Sequence, residues 1–425
     1  MIQKGTWQGC LEYAALTDIG LRRESNQDSF GISLSPDMDT WRRQGHVFLV
    51  ADGMGAHAAG ELASKLAAEG IPTLFFKYIG LGPVEAMRQA FHETNSEVFR
   101  RGQANPDFHN MGTTATTVAV VPEGIVLGHV GDSRVYRLRG KEFVQQTRDH
   151  SVVWELRGRA DLPKDENFLA TIPRNWITRS IGPSEVLDPD ISGPWPMEVG
   201  DTYLLCTDGL TGRVADEEIA AVVGNYPPQV AVRMLIDLAN LRGGQDNTTV
   251  VVMRLLQPLP EEPLDRPPVP PAAVSRDAAR FPSTVWITAS VLFLAGVILG
   301  ILQLLEAAAV VFVGVAVLAM WGAWSYWKQR KKRQVVVSPE LPGPFARVDA
   351  PDARRAAALL LNACRTVRTE ARQLGWEEDR PSLDEMENAV ELALKENRYR
   401  DALDAVGRLV HELAERQRVF FKRYY

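Results

Sequence analysis

The sequence predicts an α+β domain over residues 1–256, followed by a transmembrane helical hairpin within 284–327 and a small α-helical domain over 349–425. Three observations lead there. Short β-rich runs alternate with helix-like stretches up to about Leu256. A run of 47 residues from Phe281 to Trp327 carries a single charge, Glu306. The tail repeats apolar residues at three- and four-residue steps. A chain of 425 residues, 45% of them hydrophobic, has the material for roughly two or three domains with ample cores. A formal net charge of −6 gives no electrostatic footprint for nucleic acid, so none is expected as a partner. Cys10, Cys206 and Cys364 are too few for a disulfide scaffold and fit no zinc spacing. The start, with Glu12 and no long apolar stretch, reads as lacking a cleaved signal peptide.

In the first domain the strands matter because acids sit at their ends. His46–Ala51 is a short apolar strand that delivers Asp52. Runs at Ala115–Val121 and Ile125–His129 follow, and the second delivers Asp132. Thr202–Cys206 delivers Asp208, and Asn247–Met253 begins directly after Asp246. Helices are predicted at about 60–78, 84–101 and 228–242.

Residues 257–283 are proline-rich and read as a stiff, solvated linker. The apolar run after it is long enough for about two crossings of a ~30 Å hydrocarbon core. The expected spans are 284–304 and 308–327, with Gln303 and Glu306 marking the apex. Trp286 sits at one end, and Trp321, Trp324, Tyr326 and Trp327 at the other, as an interfacial aromatic belt requires. The cluster Lys328, Arg330, Lys331, Lys332 and Arg333 then marks a cytoplasmic side and a contact with anionic membrane lipid. Two crossings place both soluble parts in the cytoplasm, so the expected localisation is a multi-pass protein of the cell membrane; a single crossing with the tail outside, and a buried helical hairpin of a soluble protein, are the alternatives. A basic juxtamembrane segment, 328–348, leads to the tail. There Ala356, Leu360, Ala363, Val367, Ala371 and Leu374 form one helical stripe, stopped by Gly375. Ser382 with Glu385 reads as a capping box before Met386, Val390 and Leu394, and Leu403, Val406, Val410 and Leu413 form a third stripe. These are core positions of a small helical bundle without a catalytic constellation.

Carboxylates gathered at strand ends repel one another unless a cation neutralises them. Hard oxygen ligands without a Cys or His set favour magnesium or manganese over zinc. Two such ions about 4 Å apart can share and acidify a bridging water in line with a phosphorus atom. Glycine beside each acid, in Asp52-Gly53, Gly131-Asp132 and Asp208-Gly209, lets the backbone approach closely. The candidate chemistry is metal-dependent phosphate hydrolysis.

Eight motifs in order sharpen this. They are Arg23-Glu24-Ser25-Asn26-Gln27-Asp28-Ser29-Phe30; Val50-Ala51-Asp52-Gly53-Met54-Gly55-Ala56-His57 with Gly60-Glu61; Met111-Gly112-Thr113-Thr114; Val130-Gly131-Asp132-Ser133-Arg134-Val135-Tyr136; Arg148-Asp149-His150-Ser151; Thr178-Arg179-Ser180-Ile181-Gly182; Cys206-Thr207-Asp208-Gly209-Leu210; and Gly244-Gln245-Asp246-Asn247-Thr248-Thr249. Across about 10–256 the chain resembles the type 2C family of metal-dependent Ser/Thr protein phosphatases, in its bacterial form. The resemblance implies a four-layer αββα sandwich, two antiparallel sheets flanked by helices. It implies two Mn2+ or Mg2+ ions, with Asp52 bridging them, the Gly53 carbonyl on one, and Asp208 and Asp246 completing the other shell. Asp28 would act through water, and Asp132 with Asp208 would hold a looser third ion. Arg23 matches the phosphate-binding arginine, whose planar fork suits two phosphoryl oxygens. The region 148–177 would be a flap beside the cleft. The expected substrates are phosphorylated proteins, the reaction a direct attack by activated water without a phosphoenzyme, and the natural opponent a Ser/Thr kinase.

Three positions depart from the family's usual pattern. Ala56 stands where many bacterial members carry a second glycine, and Gln27 where many carry glutamate. Met54 stands where eukaryotic members carry a histidine. His57 is one candidate to protonate the leaving oxygen; a metal-bound water, or no dedicated acid, is the other account. The competing function is a pseudophosphatase, a binding module that keeps the fold without turnover, against which stands the full set of expected aspartates.

Overall fold

The computed structural model describes residues 2–55, 58–157, 176–259, 346–376 and 380–424. In chain order the strands are β1 (Gln3–Trp7), β2 (Leu11–Asp18), β3 (Asp28–Ser33), β4 (His46–Met54), β5 (Gly112–Thr113), β6 (Ala115–Val121), β7 (Gly124–Val130), β8 (Arg134–Arg139), β9 (Glu142–Gln145), β10 (Asp190–Trp195), β11 (Thr202–Cys206), β12 (Thr248–Leu255) and β13 (Arg347–Asp349). The helices are α1 (Met38–Gln44), α2 (Ala58–Tyr78), α3 (Pro83–Ala104), α4 (Val152–Arg157), α5 (Asp208–Thr211), α6 (Asp216–Asn225), α7 (Pro228–Leu241), α8 (Ala353–Leu374), α9 (Arg380–Lys395) and α10 (Tyr399–Tyr424).

Two antiparallel sheets pack face to face. One runs β1-β2-β12-β11-β8-β9-β13, the other β10-β7-β6-β4-β3 with β5 beside β4. Because side chains alternate across a strand, each central strand serves two layers. Phe48 and Val50 of β4 meet Val251 and Met253 of β12 between the sheets, while Val47, Leu49 and Ala51 face α2 and α3. Val250 and Val252 face the other way, onto α6 and α7. The order helix, sheet, sheet, helix follows from strands that are apolar on both faces.

Helix ends follow local chemistry. Asp37 caps α1 by accepting from the Thr40 N–H at 2.7 Å. Pro83 and Pro228 open α3 and α7, where a missing N–H costs nothing. Gly375 ends α8 in the left-handed conformation at φ 77°. The expected capping box at Ser382 gives way to an earlier start: α9 already begins at Arg380, with Pro381 in its first turn, so Ser382 lies inside the helix.

The tail is part of the same compact unit as the sandwich. Strand β13 extends the first sheet by pairing with β9, Val348 opposite Phe143. Leu360, Val367, Val406, Val410 and Leu413, all positions of the expected stripes, share one apolar core with Val222, Leu235 and Ile236 of α6 and α7. The Tyr226 hydroxyl donates to the Leu403 carbonyl at 2.7 Å across this contact.

The expected localisation is corrected. Among the described residues no helix is long and apolar enough to cross a membrane. The long helices present carry a charge in nearly every turn and bury one face against protein, as α8 does with Arg365, Arg368 and Arg372. The spans expected at 284–304 and 308–327, and the basic cluster 328–333 with its lipid contact, lie outside the described residues.

Candidate active site

The sheets bring the acids together at one end of the sandwich. Asp28 and Asp52 are directly paired across β3 and β4, the latter strand running on through Asp52 to Met54. Asp208 follows β11 as the first residue of α5, and Asp246 precedes β12, the neighbour of β11. Asp132 follows β7. Two glycines are required by close approach. A Cβ on Gly53 would stand 2.2 Å from the Gly60 carbonyl oxygen, and one on Gly209 would stand 2.0 Å from that of Asn247.

Each acid is held by its own braces. The Asp52 N–H donates to Thr114 Oγ1 at 2.9 Å, and its carbonyl accepts from the Thr114 N–H at 2.9 Å. Thr207 Oγ1 donates to Asp28 Oδ2 at 2.8 Å and accepts from the Thr249 N–H at 2.9 Å. Asn247 accepts from the Gln27 N–H at 2.8 Å and donates to the carbonyls of Ile19 and Ser25, tying the Asp246 loop to the segment that carries Arg23 and Asp28. Arg23 donates to Asp246 Oδ2 at 2.7 Å, with half of its side chain exposed. Thr207 and Asn247 are functional supports that sequence reasoning did not single out; their signal was a hydroxyl or amide beside an acid.

Burial and crowding set the electrostatics. Burial, countered by hydrogen bonds from Thr249 and Thr207 and raised again by Asp208 and Asp246, pushes the Asp28 carboxyl up to about 7. Burial and the charges of Asp28, Asp208, Asp132 and Asp246 push Asp52 well above the carboxylate range. Asp132 rises well above it through burial, then Asp208 and Asp149. Asp208 is raised by burial and Asp246, with a hydrogen bond from Asp52 in partial relief.

The donor set fits a hard divalent cation. Asp28 Oδ1, Asp132 Oδ1 and Asp208 Oδ1 are buried without a hydrogen-bond partner, and among the described residues neither Cys nor His joins them. Among the described residues no three His, Cys, Asp or Glu groups are drawn into a finished cage. Mg2+-type shells retain several waters and need few direct protein ligands, so the two observations are compatible.

Beside Asp132 and Asp208 lies a cavity of about 170 Å³ walled by Arg134, Ser151, Val153 and Trp154. Arg134 grips Asp149 with a fork of contacts at 2.7–3.1 Å. His150 accepts from the Gly131 N–H at 3.1 Å through Nδ1 and stands 3.0 Å from Asp190 Oδ2 through Nε2; burial lowers its pKa. Asp149 and His150 thus brace the base of the expected flap, of which 158–175 lie outside the described residues, as do Ala56 and His57.

The protein phosphatase 2C family matches residues 22–236. The protein phosphatase PhpP of Streptococcus pneumoniae is 33% identical over 251 residues, covering 58% of this chain and 98% of that protein. The serine/threonine protein phosphatase PstP of Mycobacterium tuberculosis is 35% identical over 244 residues, 57% of this chain and 44% of that one. The crystal structure of the latter phosphatase superposes with a TM-score of 0.51 at 34% identity, covering 58% of this chain and all of that one. A structure of the PstP catalytic domain in complex with two manganese ions matches at a TM-score of 0.50 and 33% identity, over 58% and 99% of the two chains. The chain belongs to the protein phosphatase 2C family and is a Ser/Thr phosphoprotein phosphatase, of a class that uses two Mn2+ or Mg2+ ions.

Proposed function

We propose that the cleft hydrolyses phosphoserine and phosphothreonine in proteins by direct attack of water, and that it opposes a Ser/Thr kinase. The observation that carries this reading is the set of buried, unpartnered carboxylate oxygens of Asp28, Asp132 and Asp208, gathered with Asp52 and Asp246 beside the Arg23 guanidinium. In this reading Asp52, the Gly53 carbonyl, Asp208 and Asp246 hold two ions, Asp28 acts through water, and Asp132 with Asp208 takes a third. When bound, the ions supply an activated water and neutralise charge at the phosphoryl group. The chain's own residues do the rest. Thr114, Thr207 and Asn247 keep the acids from relaxing apart. Arg23 leaves its contact with Asp246 in part or whole to orient two phosphoryl oxygens, which its half-exposed position allows. Gly53 and Gly209 keep the backbone close enough for the strands to converge.

The test uses the full chain, wild type beside Asp208→Asn, on a phosphothreonine peptide with manganese, magnesium or chelator. Metal-dependent release in the wild type that falls roughly a hundred-fold or more in the variant supports the assignment. A folded wild type with no release in either metal would favour the non-catalytic reading.

A further inference from the structure

The last helix of the tail reaches the supports of the site. Along α10, His411 Nδ1 stands 3.0 Å from Asp237 Oδ2 of α7, and Gln417 Nε2 donates to the Leu241 carbonyl at 3.4 Å. Arg418 is 3.1 Å from Asp237 Oδ1 and 3.6 Å from Asp18 Oδ2. The Phe421 ring lies 5.1 Å from the Arg22 guanidinium carbon. Asp18 and Arg22 bracket the turn that ends in Arg23. That turn is already fastened on its inner side. The Leu21 N–H donates to the Gly244 carbonyl at 2.7 Å, and Asn240 donates to Asp18 Oδ1 at 3.0 Å. Gly20, at φ 81°, would place a Cβ only 2.5 Å from the Asp246 carbonyl oxygen.

The Arg23 guanidinium itself has weaker anchorage. Its contact with Asp246 is a half-exposed ion pair, a type that contributes little and is screened by salt. Where the guanidinium points is therefore governed by the backbone of 18–22, and α10 touches that segment at its two ends, Asp18 and Arg22. We propose that Arg418 and Phe421 are positioning residues that hold the 18–22 turn, and through it Arg23, in the orientation that receives the phosphoryl group. The inference rests on the phosphatase reading of Arg23 and gives the tail a role in substrate binding.

The experiment compares full-chain wild type, Phe421→Ala, Phe421→Tyr, Arg22→Ala and the Arg22→Ala/Phe421→Ala pair in steady-state kinetics on a phosphothreonine peptide with manganese. Inorganic phosphate serves as product inhibitor. Phe421→Ala is expected to raise KM and the phosphate inhibition constant together by about five-fold, with kcat changed less than about two-fold. Phe421→Tyr, which keeps the ring, should match the wild type. Arg22→Ala, approaching the contact from the other side, should give a similar shift that does not add to that of Phe421→Ala. Arg365→Ala, on the distant face of α8, should leave KM unchanged. Unchanged KM and phosphate inhibition in both Phe421→Ala and Arg22→Ala would overturn the inference, as would a fall in kcat and thermal midpoint with KM intact. Should the wild type release no phosphate, calorimetric binding of inorganic phosphate with manganese separates the two ideas. Weaker binding by Phe421→Ala sustains the positioning role, equal binding overturns it, and no binding by the wild type removes both.

Discussion

Asp208 is surrounded by carboxylates that share its end of the sandwich, and burial together with Asp246 already raises its pKa. Removing one charge from such a group relieves repulsion in the metal-free protein while weakening the attraction for a cation. Asp208→Asn should therefore have opposite effects in the two conditions. In chelator the variant is expected to be more stable than the wild type by about 1 kcal/mol, read from urea midpoints. In manganese the wild type gains stability by mass action, and the order should reverse. A variant less stable than the wild type in chelator would show that Asp208 is held by favourable contacts and that the crowding of acids is not costly. Asp52, Asp132 and Asp208 were legible in the sequence because each follows an apolar strand and stands next to glycine, and Asp246 because a strand follows it, whereas Asp28 was placed only by the family's motif. Their braces were less so: Thr207 and Asn247 act on Asp28 and Gln27 through contacts that span 179 and 220 residues of sequence, and such separations leave no local pattern.

The helices of the tail show the same limit one level up. Their apolar stripes are visible at three- and four-residue spacing, and α8 and α10 form where those stripes lie. A stripe states which face is apolar and is silent on what covers it. Here the cover comes partly from α6 and α7: Leu360, Val406 and Val410 lie in one core with Val222, Leu235 and Ile236. The three-residue strand β13 had no readable signal, since Arg347–Asp349 is polar at both ends and becomes a strand only by pairing with β9. These contacts make the tail a structural part of the sandwich. A chain cut after residue 259 should expose the outer faces of α6 and α7, and should unfold at lower urea and bind a hydrophobic dye in its native baseline. Several kcal/mol of stability are at stake, since burying a single large aliphatic side chain contributes about 1.5–3 kcal/mol. A truncated chain with the full-length midpoint and no dye binding would show that the shared core contributes nothing.

At the scale of the whole unit, a core continuous from the sandwich into α8 and α10 implies that the two parts unfold together in one transition. The pH dependence of that transition is set in part by two histidines held neutral inside it. His46 is fully buried; its Nδ1 accepts from the Ser35 N–H at 3.0 Å, and the rings of Trp7 and Trp41 pack against it. Burial lowers its pKa to about 3. His129 accepts the same fate between Thr116, the Arg148 carbonyl and the His150 ring. Burial first, then the His150 and Arg179 charges, outweigh Asp190 and bring its pKa to about 3. In the unfolded chain both rings take up protons near pH 6.5, whereas in the fold they do so only near pH 3. Between those limits the unfolded state binds more protons at these two rings, so the stability they contribute rises with pH and is lost as pH falls below about 6.5. Each histidine contributes a slope of up to about 1.4 kcal/mol per pH unit in that window. The raised acids of the site act with the opposite sign on the wild-type profile, so the share of His46 is read as the difference between wild-type and His46→Asn urea midpoints at pH 7.5, 6.5 and 5.5. His46→Asn keeps an acceptor for the Ser35 N–H but has no titrating ring, and its aromatic packing loss lowers stability at every pH alike. The slope is the discriminating quantity: it should be lower in the variant by about one histidine's share. A variant with the wild-type slope would mean that His46 charges within the fold at ordinary pH, and that its cage of Trp7 and Trp41 admits water.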